Sequence, residues 1–117
     1  MIRRLVIALM LIGVASSANA ATIPLKGYKS PKNADEKAFM QMYLDGVREG
    51  IVELNVVMRA EGRQPLFCLP GKLALTVEQA EDIMMRQAQK MTDSDTSPIG
   101  LLLIEGLMDT FPCDEKH

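Results

Sequence analysis

The chain has 117 residues, 13 basic and 15 acidic side chains, a single histidine and a net charge of −2. With no basic cluster anywhere, a nucleic-acid surface has no electrostatic footprint. One histidine, at the last position, is too little for a hydrolytic triad or a histidine-based zinc site.

Arg3 and Arg4 precede an apolar run from Leu5 to Val14, and Ala18-Asn19-Ala20 follows with small residues at the flanking positions. That order is the pattern of a secretory signal peptide ending at Ala20. The apolar run is far short of the roughly 20 residues that span a bilayer. Residues 1–20 are therefore expected to be a cleaved leader. The exported remainder, 21–117, holds one domain, and export predicts the periplasm with no membrane attachment after cleavage. Losing Arg3 and Arg4 makes that product more acidic still.

Residues 21–33 contain Pro24, Gly27, Ser30 and Pro31, and predict an irregular lead-in. The single domain is expected over 34–117. Asn33 has N-cap chemistry, with Glu36 three residues on. A long helix is predicted from Ala34 to about Glu61, with Phe39, Met42, Tyr43, Val47, Leu54, Val57 and Met58 recurring at helical spacing. Gly62 and Pro65 end it. Gly46 and Gly50 lie one turn apart inside this helix, which predicts close packing against another helix of the same chain or, less favoured, a dimer face.

Thr76 and Gln79 form a second capping box, and a helix is predicted from Val77 to about Met91 with Val77, Ala80, Ile83, Met84, Ala88 and Met91 inward. Thr92–Ser97 is a polar loop. Ser97 is expected to cap a third helix with Pro98 at its first position. Ile99, Leu102, Leu103, Gly106, Leu107 and Phe111 give that helix a strongly apolar face. No strand pattern competes, so the predicted fold is all-α: a compact small bundle with one long first helix.

Two cysteines, Cys68 and Cys113, stand 45 residues apart behind the leader. An even count in an exported chain predicts one disulfide. Closing a loop of that length stabilises a fold by about 4 kcal/mol in the chain-entropy model. The bond also removes both thiols from nucleophilic or metal chemistry. Asp93 and Asp95 resemble the start of a calcium loop, but Pro98 and Ile104 occupy positions where glycine and glutamate are needed. Glu49 and Glu53 lie one turn apart on a face best explained as solvated. No metal, no cofactor and no catalytic residue is expected.

An ordered signature runs through the chain. It comprises Tyr43-Leu44-x-Gly46-Val47-x-Glu49-Gly50-Ile51, Asn55, Pro65-Leu66-Phe67-Cys68-x-Pro70, Leu75-Thr76-x-x-Gln79 and Gly106-Leu107-x-x-x-Phe111-Pro112-Cys113. It resembles the Rap/Tai family of type VI secretion amidase immunity proteins from about Phe39 to Cys113. The resemblance implies a helical periplasmic protein with an intramolecular disulfide that commonly dimerises. It also implies a non-enzymatic inhibitor that covers the cleft of a secreted peptidoglycan amidase. The loop Thr92–Pro98, with Asp93, Ser94, Asp95 and Thr96, is similar by its place to the family's toxin-blocking loop. A general periplasmic stress or chaperone-like protein without a toxin partner is the alternative.

Overall fold

A computed structural model describes residues 22–114. The expected signal peptide and the terminal histidine lie outside that range. The order of elements is α1 (Leu25–Lys29), α2 (Ala34–Ala60), α3 (Val77–Gln89), a 3-10 turn (Ser94–Thr96) and α4 (Ile99–Thr110). The all-α expectation holds. The only extended pairing among the described residues is an isolated antiparallel bridge between Pro24 and Pro98.

Local chemistry sets the helix ends. Asn33 Oδ1 accepts the Glu36 amide at 2.8 Å, starting α2. At the other end Gly62 adopts φ 71°. Its amide donates to the Arg59 carbonyl at 3.0 Å, and the Arg63 amide donates to Met58 at 2.9 Å. That bond pair is a Schellman cap, and the left-handed residue it needs is most easily glycine. Thr76 and Gln79 form both bonds of a capping box at the start of α3.

Three expectations need correction. The lead-in is not wholly irregular, because α1 forms within it. Five residues are too few for a stable isolated helix; Leu25 and Tyr28 are buried, and tertiary packing sustains the turn. Ser97 does not cap α4 through its side chain. Pro98 occupies the cap position, and the Ser97 carbonyl instead accepts the Leu25 amide at 3.0 Å. The expected inward face of α2 is also rotated. Leu44, Ile51 and Asn55 are its buried residues, whereas Phe39, Met42, Leu54 and Val57 are exposed.

The core lies between α3 and α4. Met84, Ile99, Leu102, Leu103 and Leu107 are fully buried, joined by Leu44 from α2, Leu25 from α1 and Phe67 from the loop after α2. Gly106 lets the two helices touch. A Cβ there would lie 2.8 Å from Ile83 Cγ2 and 3.0 Å from the Ile83 carbonyl oxygen, closer than nonbonded atoms tolerate. Cys68 and Cys113 form a disulfide, which ties the loop after α2 to the residues following α4. Beside it the Cys68 amide donates to the Phe111 carbonyl at 2.8 Å.

Candidate functional site

Two surfaces hold the residues singled out in the sequence. The first is the turn between α3 and α4. Asp93, Asp95 and Thr96 are exposed, while Ser94 is half-buried. The Ser97 amide closes the turn on the Ser94 carbonyl at 3.0 Å. The Thr96 hydroxyl donates to the Asp93 carbonyl at 3.3 Å. Lys29 Nζ reaches Asp95 Oδ1 at 3.3 Å, an exposed pair of the kind that contributes little to stability. Asp93 has no ion pair among the described residues, so its charge is available to a partner.

The N-terminal segment flanks this turn on the inside. The Leu25 amide donates to the Ser97 carbonyl and the Ile99 amide to the Ile23 carbonyl, both at 3.0 Å. Pro24 and Pro98 face one another between these bonds. They sit at a non-hydrogen-bonded position of an antiparallel pair, where proline's missing N–H costs nothing. Further along, Tyr28 donates its hydroxyl to Glu81 Oε2 on α3 at 2.6 Å. Burial, then the hydrogen bond to Glu81 and its negative charge, push the Tyr28 phenol well above its ordinary value. The hydroxyl thus stays protonated and remains a donor.

The second surface is the outer side of α2. Phe39 is 56% exposed and Met42 71%. Leu54 and Val57 are exposed as well, and the four-residue and three-residue steps between these positions align them with Gly46 and Gly50 on one face. Neither glycine packs closely against another described residue. A Cβ at either position would meet nothing within 4 Å among the described residues, which show no close helix contact there. Together they leave a shallow strip without side chains among these apolar residues, with exposed Glu53 in the same arc.

Arg48 and Asn55 position the scaffold rather than a ligand. Arg48 is held by Asp45 at 2.7 Å and donates Nη1 to the Leu75 carbonyl at 2.9 Å. Asn55 is buried; its amide donates to the Phe67 carbonyl at 2.7 Å and its oxygen accepts the Leu66 amide at 2.8 Å. Both backbone groups would otherwise be orphaned beside the disulfide loop. The apolar periodicity of α2 leaves Asn55 off the expected inward face, so neither its burial nor this bonding is legible in the sequence.

A groove of about 700 Å³ runs along the disulfide, between Arg59, Arg63, Gln64, Pro65 and Asp114. Among the described residues no group of three or more acidic, histidine or cysteine side chains could hold a metal ion. No helix there is long and apolar enough to cross a membrane.

The geometry is that of a small helical scaffold, stapled covalently, which presents an ordered polar turn and an exposed apolar strip on a helix. These are attributes of a binding protein. The family model described as Rap1a immunity proteins matches residues 15–113, and the chain belongs to that family. No curated protein and no solved structure gives a match. Membership supports an immunity-protein role and implies binding of a cognate toxin.

Proposed function

We propose that the protein acts in the periplasm, after removal of residues 1–20, and there binds a type VI secreted peptidoglycan amidase and occludes its cleft. The observation that carries this reading is the turn Asp93–Thr96, exposed yet internally bonded. A loop already ordered before binding avoids part of the entropy cost of association. Asp93 and the Thr96 side chain would meet basic or hydrogen-bond-donating groups at the rim of the cleft. The test is peptidoglycan hydrolysis by candidate amidases encoded near this protein's gene, each titrated with the mature chain. Complete inhibition near one equivalent is expected; undiminished hydrolysis in excess immunity protein overturns the proposal.

The second surface supports a homodimer. Two α2 helices crossing at Gly46 and Gly50 would approach backbone to backbone and bury Phe39, Met42, Leu54 and Val57. An exposed apolar face of this kind ordinarily marks an interaction site. The same face is the one feature favouring a chaperone-like alternative. Light scattering separates the two: a defined dimer fits the first, and a monomer that suppresses client aggregation fits the second.

A further inference from the structure

The N-terminal segment does something the disulfide does not. The staple lies at the Cys68–Cys113 end, whereas the Asp93–Thr96 turn begins and ends at residues the staple does not reach. What meets the turn there is the short antiparallel pairing of residues 23–25 with 97–99. Two backbone bonds at 3.0 Å join the segments. Both Ser97 and Ile99, which bracket the turn's exit, are engaged by it. Leu25, 1% exposed, anchors the segment in the core, and the Tyr28 hydroxyl moors its far end to Glu81 on α3 at 2.6 Å. Lys29 reaches forward to Asp95 at 3.3 Å. The exit of the turn is therefore held from α1, and the entry from α3.

We propose that Ile23–Lys29 is a positioning clasp that holds the 93–97 turn in a single conformation before a partner arrives, with Leu25 and Tyr28 as its positioning residues. This rests on the turn being the partner-contacting element. The physical basis is that a three-residue 3-10 turn with one closing bond is marginal alone. Its exit is fixed only while residues 97–99 stay paired. Releasing the clasp should let the turn sample other conformations, so that only a fraction of molecules is competent to bind and the apparent affinity falls by that fraction.

Amide hydrogen exchange on the full mature chain, without any toxin, tests the clasp independently of the immunity reading. Tyr28→Phe removes the mooring hydrogen bond. It should speed exchange at the Leu25, Ser97 and Ile99 amides together, by about tenfold, the scale of one hydrogen bond to a charged group. Amides of Leu103 and Leu107 in α4 should keep their protection. Leu25→Ala should release the segment and abolish protection at the same three amides; because Leu25 also belongs to the core, the middle of α4 should lose some protection too, but far less than these three. Lys29→Ala serves as a control, changing the three by less than about threefold.

Two results overturn the proposal. Protection of Ser97 that survives while Leu25 and Ile99 lose theirs means the turn holds itself. Equal acceleration at Leu103 and Leu107 means that α1 merely stabilises the whole domain. Failure of amidase inhibition by a protein showing the expected exchange pattern would refute the immunity mechanism and leave the clasp standing.

Discussion

Replacing glycine by alanine should have opposite signs at two helix-interior positions. Gly50 and Gly106 are both helical, and alanine favours a helix by about 1 kcal/mol at either. At Gly50 nothing lies within 4 Å of the added methyl, so that preference is uncontested in the monomer. For a domain of this size, about 1 kcal/mol raises Tm by roughly 4–8 °C. At Gly106 the methyl would stand 2.8 Å from Ile83 Cγ2, 3.0 Å from the Ile83 oxygen and 3.3 Å from Gln87 Cβ. A side chain can rotate away; a backbone carbonyl cannot, so α3 and α4 must separate. Overpacking of this kind costs about 1–3 kcal/mol. Subtracting the helix preference leaves Gly106→Ala destabilising by up to about 2 kcal/mol. Thermal and urea unfolding of dilute protein measure both. Gly50→Ala below wild-type stability at dilutions where no dimer survives, or Gly106→Ala above it, would refute this account of the packing. The same variants bear on assembly: where a dimer forms through α2, Gly46→Leu or Gly50→Leu should weaken self-association at least tenfold while leaving the monomer folded.

Three further outcomes are expected. Reducing the disulfide, or the double change Cys68→Ser and Cys113→Ser, should cost about 4 kcal/mol, seen as a fall in the urea midpoint, and alkylation of unreduced mature protein should add no label. Asn55→Ala leaves the Phe67 carbonyl and the Leu66 amide without partners; a loss of about 3 kcal/mol is expected, with faster exchange in residues 65–68. The raised Tyr28 phenol predicts alkaline sensitivity with a definite sign. The folded state holds this proton more tightly than the unfolded state, whose phenol titrates near 10.0. The stabilisation is therefore complete below pH 10 and falls as pH rises beyond it; Tyr28→Phe should flatten that decline in equilibrium unfolding.

Sequence alone specified the three main helices, because their ends are written in local chemistry. Asn33, Gly62 and the Thr76–Gln79 box each act within a few residues of themselves. The inward side of α3 was legible because its apolar and polar residues fall on opposite faces; α4 is apolar nearly all round, and packing buries Ile99, Leu102, Leu103 and Leu107 while leaving Leu101 and Met108 exposed. The cysteine pairing was likewise determined, there being a single pair to make.

Tertiary structure decided what periodicity leaves open. Apolar residues cover much of α2, and only the placement of α3 and α4 selects Leu44 and Ile51 for the core and leaves Phe39, Met42, Leu54 and Val57 outside. Helix α1 and its pairing with residues 97–99 depend on contacts between segments some seventy residues apart in the chain. Pro24, Gly27 and Pro31 argue locally against regular structure, and burial of Leu25 and Tyr28 overrides them. Short-range bonding is encoded where it occurs, whereas the choice of which face to bury is a property of the assembled core.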